Sequence, residues 1–181
     1  MNLPNKLTLA RMIAVPFFIV SFMLGAYPVA LVLFIAASLT DMLDGKIARA
    51  RNLVTNFGKI MDPLADKILV YSALCLFIET GTIDAWMLII ILAREFVVAG
   101  MRTVAASEGR VLAAGMSGKI KTALQMVAVV IMIAGLWLTS VPAIMKIGYY
   151  IFLASLVMTV YSGTEYVIQN RDVFSMKESG E

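Results

Sequence analysis

The chain has 181 residues, of which 61% are hydrophobic and 15% charged, with a mean hydropathy of +0.89. Soluble domains carry about 25% charged and about 45–50% apolar residues, so this composition excludes an ordinary soluble globule and points to an all-α integral membrane protein. A net charge of +3, interleaved with apolar runs, suits an anionic membrane leaflet and gives no nucleic-acid partner, while the absence of histidine excludes imidazole metal sites and Ser–His hydrolysis.

Residues 1–6 form a short juxtamembrane segment without the apolar core and cleavage site of a removable signal. The first predicted span covers 7–24, and the second covers 28–49, ending in Asp41, Asp44, Gly45, Ala48 and Arg49. The third, 60–78, opens on Asp62 and Asp66 and contains the single cysteine, Cys75, expected as a small buried thiol. Pro63 is expected either to start this helix, with Asp62 as its N-cap, or to kink it. The fourth span, 85–101, contains Arg94 and Glu95. Adjacent helical residues point about 100° apart, so these two are not expected simply to pair with each other. Arg94 is expected to line a cavity or to meet a carboxylate of another helix. Arg110, Lys119 and Lys121 precede or open the fifth span, 120–138; the sixth covers 144–161, and a polar tail fills 171–181. The runs are continuous and lack strict alternation, so helices are expected throughout one domain of 1–181.

The connections 25–27, 79–84 and 139–143 hold no Lys or Arg, whereas Lys6, Arg11, Lys46, Arg49, Arg51, Lys59, Arg102, Arg110, Lys119, Lys121, Arg171 and Lys177 gather on the other side. The positive-inside rule makes that side cytoplasmic, in a cell membrane crossed six times. The four aspartates then lie at the cytoplasmic ends of the second and third spans.

A carboxylate at a membrane helix centre costs roughly 2.5–3.5 kcal/mol, so four of them must face a polar cavity or a metal. On a helix, Asp41, Asp44, Gly45, Ala48 and Arg49 share an arc of about 140°. Gly58, Asp62 and Asp66 recur every four residues on one stripe. Oxygen-only donors favour a hard cation such as Mg²⁺ or Mn²⁺, and four carboxylates suffice for two divalent ions bridging a phosphate or diphosphate. Gly45 and Ala48 leave room for a ligand near the backbone, and Arg49 suits a diphosphate. The same aspartates also fit the ion path of a cation-coupled transporter, or structural pairing with Arg and Lys.

The spacing D-x2-D-G-x2-A-R-x8-G-x3-D-x3-D, with eight fixed positions over 26 residues, resembles the signature of the CDP-alcohol phosphotransferase family. That resemblance implies six helices around a cytoplasm-facing polar cavity, two divalent cations, a homodimer, and displacement of CMP from a CDP-linked lipid or alcohol by an acceptor hydroxyl. It implies Asp41, Asp44 and Asp62 as metal ligands and Asp66 as general base with a share in the metal. It gives Thr8, Gly45, Ala48, Arg49 and Gly58 to the CDP-lipid. LPNKLTLAR at the start, MDPLADK, AREFVVAGMR and GKIKT at 118–122 are similar to the bacterial branch of that family that uses sn-glycerol 3-phosphate. The implied substrates are CDP-diacylglycerol and glycerol 3-phosphate, and the implied products phosphatidylglycerophosphate and CMP. Arg110, Lys119 and Lys121 would receive the acceptor phosphate; they also read as ordinary positive-inside charges. A sister enzyme acting on inositol phosphate or serine is the alternative within the family.

Overall fold

The computed structural model describes the backbone of residues 3–50, 56–113 and 115–173 and, within these, the side chains of 8–40, 64–65, 67–113 and 115–173. Among the described residues the fold is all-helical: α1 (Leu3–Met23), α2 (Tyr27–Ala50), α3 (Asn56–Glu79), α4 (Ala85–Ser107), α5 (Met116–Trp137) and α6 (Pro142–Gln169), followed by a short 3-10 helix, Arg171–Val173.

The helix ends follow local chemistry. Gly25, at φ 71°, closes α1: its N–H bonds Phe22 O at 2.9 Å, and Ala26 N–H bonds Ser21 O at 2.9 Å. This is the Schellman arrangement, which needs the left-handed conformation that glycine adopts without strain. Gly109, at φ 74°, ends α4 in the same way, with Arg110 N–H bonding Ala105 O at 2.8 Å. Pro142 opens α6, where its missing N–H costs no helical bond. Asp84 is the N-cap of α4, but its carboxylate accepts from the Trp86 indole N–H at 3.3 Å and caps no backbone N–H.

The chain forms two compact units, Met1–Ile83 with Ala128–Tyr149, and Asp84–Val127 with Tyr150–Glu181, so α5 and α6 contribute residues to both. In the first unit α1 packs on both α2 and α3. Phe18 meets Phe34 at 5.7 Å with the rings tilted, and Phe22 meets Phe77 at 5.8 Å and Tyr27 at 5.3 Å, edge to face. Such pairs add about 0.5–1.5 kcal/mol each beyond the area they bury. The same unit brings α5 and α6 close: a Cβ on Gly135 would stand 2.9 Å from Met145 Cα, and one on Gly148 would stand 2.8 Å from Met132 Cγ. In the second unit Val98, Met101 and Tyr166 form a core covered by Leu112 and Val167. The Arg102 guanidinium lies over the Tyr166 ring and donates from Nε to its hydroxyl at 3.1 Å.

Large apolar side chains face outward on every helix, with Met23 64% and Phe96 71% exposed. A water-soluble monomer does not present so much apolar surface. α5 and α6 are each long and apolar enough to cross a membrane, and α1 and α2 carry shorter apolar stretches, Thr8–Met23 and Tyr27–Thr40. Buried hydroxyls on α6 bond back to their own helix, Ser155 to Phe152 O at 2.7 Å and Thr159 to Ser155 O at 2.7 Å. Polar groups in an apolar medium are satisfied in that way. Together these features mark a membrane protein.

Each predicted span contains one helix, with three differences. α3 begins at Asn56, so Pro63 does not start it. α4 and α6 continue to Ser107 and Gln169, past the apolar runs: beyond those runs Arg102 of α4 bonds the hydroxyl of Tyr166 of α6, and Tyr166 packs on Val98 and Met101, whereas hydropathy registers only lipid-like sequence. Cys75 is exposed on an outer face of α3 shared with Leu64 and Ile68, and is not buried as expected; an apolar run in a membrane helix need not face protein.

Candidate active site

The eight motif residues divide between two helices of the first unit. Asp41, Asp44, Gly45, Ala48 and Arg49 lie on α2, and Gly58, Asp62 and Asp66 lie on α3. Both helices run unbroken through these positions and touch each other. The side chains of all eight lie outside the described residues. Unbroken helix is what the spacing argument requires, since i, i+3 and i, i+4 neighbours share a face only on a continuous helix. As a donor set, four carboxylates with no thiolate or imidazole fit a hard divalent ion. Among the described residues no group of three or more acidic or thiol side chains converges. Thr8 is buried on α1 in the same unit, one turn from the equally buried Arg11, which is therefore no exposed cytoplasmic charge.

The three cations expected to receive the acceptor phosphate are held differently. Arg110 sits exposed after α4 and pairs with Asp172 of the 3-10 helix. That hydrogen bond, with the charge attraction behind it, raises the Arg110 pKa and holds the Asp172 carboxyl below the usual carboxylate value. Lys119 is exposed on the first turn of α5. Lys121, two residues on and so on nearly the opposite face, is 4% exposed, and its Nζ donates to Glu95 Oε1 at 2.6 Å.

The same Glu95 oxygen accepts from Arg94 Nη1 at 3.0 Å. Arg94 and Glu95 do pair, against the expectation from their divergence at Cβ, because two long side chains close the gap in the space between α4 and α5. Both are largely buried. Two glycines flank the guanidinium arm: a Cβ on Gly163 of α6 would stand 2.8 Å from Arg94 Cγ, and one on Gly118 of α5 would stand 3.1 Å from Arg94 Nη2. One turn before Lys121, Ser117 donates to Glu165 of α6. One turn beyond Lys121, Gln125 is 3% exposed. Arg94 also lines an open groove of about 420 Å³ between α4 and α6, whose walls include Ile90, Val97, Val160 and Ile168. Sequence reasoning noted Ser117 only as a hydroxyl-bearing neighbour of Lys119 and Lys121, and missed Gln125 and Glu165. The available signal was the four-residue recurrence of Ser117, Lys121 and Gln125 along one stripe of an otherwise apolar helix.

Known proteins bear on these two clusters. The profile of the CDP-alcohol phosphatidyltransferase family matches residues 1–161. A CDP-diacylglycerol–glycerol-3-phosphate 3-phosphatidyltransferase of Bacillus subtilis is 44% identical over 188 aligned positions, covering 93% of this chain and 95% of the relative. The protein of the same name from Rickettsia bellii is 38% identical, covering 91% and 93%. A probable phosphatidylglycerophosphate synthase of Mycobacterium tuberculosis is 33% identical, covering 98% and 86%. The chain belongs to the CDP-alcohol phosphatidyltransferase family, whose members generally depend on divalent metal ions.

Proposed function

We propose that this chain transfers the phosphatidyl group of CDP-diacylglycerol to sn-glycerol 3-phosphate, giving phosphatidylglycerophosphate and CMP. The observation that carries the reading is the complete eight-position motif on two continuous helices, in a chain similar along nearly its whole length to transferases of that name. In this reading the six helices are six membrane crossings of a homodimer in the cell membrane, with the aspartates opening toward the cytoplasm.

Asp41, Asp44, Asp62 and Asp66 would hold two divalent ions, Mg²⁺ or Mn²⁺. Bound there, such ions neutralise a diphosphate and ease the departure of its leaving group. Thr8, Gly45, Ala48, Arg49 and Gly58 bind the CDP-lipid: the small residues admit the nucleotide close to the backbone, and the Arg49 guanidinium matches phosphate oxygens. Asp66 accepts the proton of the acceptor hydroxyl as its oxygen bonds to the phosphorus bearing diacylglycerol. The P–O bond to CMP breaks, and CMP leaves with the electron pair. Proton loss accompanies bond formation, so a carboxylate of ordinary basicity is adequate.

The acceptor phosphate falls to Arg110, Lys119 and Lys121. Lys121 has the strongest support, because it is buried and fixed in place. The Arg110 charge is already answered by Asp172. Purified protein given CDP-diacylglycerol, Mg²⁺ or Mn²⁺ and a panel of acceptors is expected to release CMP with glycerol 3-phosphate. Release with serine or inositol phosphate but not with glycerol 3-phosphate would contradict the acceptor assignment.

A further inference from the structure

The Ser38 hydroxyl on α2 is buried and meets no hydrogen-bond partner among the described residues. A serine within a helix can always bond back to the carbonyl four residues before it. Thr40, two residues on, does so with Ala36 O at 2.6 Å. Ser72 on α3 does so with Ile68 O and Thr159 on α6 with Ser155 O, both at 2.7 Å. Ser38 forgoes that bond. Buried hydroxyls are nearly always satisfied, so an orphan of this kind marks a place where a further acceptor belongs.

Its register on the helix says which acceptor. At 100° per residue, Ser38 falls inside the arc of about 140° that holds Asp41, Asp44, Gly45, Ala48 and Arg49, one turn before Asp41. Helical side chains lean toward the N-terminus of their helix, over the preceding turn, so a residue on this face most readily reaches the position three before it. This level of the fold is enclosed. α1 and α2 run antiparallel from the Gly25 turn, with Phe22 against Tyr27 and Phe18 against Phe34. Arg11 and Ser38 lie about equally far from that turn, and Arg11 is 3% exposed. A hydrogen bond to an anion gains strength where water is kept out.

We propose that the Ser38 hydroxyl donates to the Asp41 carboxylate while that carboxylate holds a divalent ion, and so acts as a positioning residue for the metal. The inference rests on the reading above for the role of Asp41. Ligating carboxylates are themselves hydrogen-bonded, and losing such a partner typically costs about 10–100-fold in metal affinity or activity. A hydroxyl suits the task, since it brings a donor without a charge and leaves the carboxylate lone pairs for the ion.

The test titrates full-length protein in detergent, first stripped of metal by a chelator, with Mn²⁺ alone. Free Mn²⁺ is followed by its EPR signal, beside the thermal melt of the metal-free form. An unmet buried donor costs the fold its desolvation, so metal-free Ser38→Ala is expected to melt at the wild-type temperature or above it. Its Mn²⁺ dissociation constant is expected to rise about 10–100-fold, whereas Ser38→Thr, which keeps the hydroxyl, should bind close to wild type. Unchanged Mn²⁺ affinity in Ser38→Ala, with the ion lost in Asp41→Asn, would overturn the proposal and leave Asp41 as a ligand. Metal-free Ser38→Ala that melts well below wild type would overturn it by making the hydroxyl structural. Ser38→Thr that melts like wild type yet binds as poorly as Ser38→Ala would overturn it too, because the hydroxyl would then not be the group that matters. Wild type that binds no Mn²⁺, or Asp41→Asn that binds it like wild type, would instead overturn the metal reading itself, and the proposal with it.

Discussion

Asp66 carries the proton in this account, and its replacement is the sharpest residue-scale probe. Asp66→Asn is expected to lower turnover by about 10²–10⁴-fold, the range for losing a general base, while CDP-lipid binding survives. Unchanged turnover would remove its role. A second prediction concerns Asp172, whose pKa lies below the ordinary value chiefly through the hydrogen bond from Arg110. A carboxyl with a lowered folded-state pKa stabilises the fold above its unfolded value, and that contribution disappears as pH falls through the folded value. Arg110→Ala should therefore return the Asp172 titration upward, toward that of an ordinary aspartate, when followed by NMR, with little effect on stability at neutral pH because the pair is exposed. An unmoved titration would contradict the pairing. The motif aspartates stand out from spacing alone, as two helical stripes of carboxylate in an apolar chain, but spacing leaves an ion path and structural pairing open until the family resemblance is added. Lys121 and Gln125 were harder. Which polar residue turns inward depends on the helices packed around it, and Lys119 and Lys121 look alike in sequence while facing nearly opposite ways.

At the scale of elements, hydropathy located all six helices, and turn chemistry explains ends such as the Gly25 cap. It failed where amphipathic turns extend α4 and α6 beyond their apolar runs, because those turns meet through the contact of Arg102 with Tyr166. Close helix approach makes a further prediction. A Cβ at Gly135 would meet the backbone of Met145 at 2.9 Å, and backbone cannot swing aside as a side chain can. Gly135→Ala is expected to cost about 1–3 kcal/mol, whereas Gly100→Ala, with nothing within 4 Å, should be neutral or stabilise by up to about 1 kcal/mol. Unfolding in detergent separates the two variants, and equal effects would contradict the crossing of α5 and α6.

Over the whole molecule, apolar surface on every helix, two long membrane-capable helices and a lipid-synthesis family agree on a protein that works within a bilayer. An ion-coupled transporter uses intramembrane carboxylates too, and the two activities part at one observable. The direct test is to incubate purified protein in detergent with CDP-diacylglycerol, glycerol 3-phosphate and Mg²⁺ or Mn²⁺, and to measure CMP together with the lipid product. The account predicts CMP and phosphatidylglycerophosphate in equal amounts from wild type and a near-complete loss of both in Asp66→Asn. No CMP with any acceptor, alongside solute movement into sealed vesicles that consumes no CDP-lipid, would contradict it.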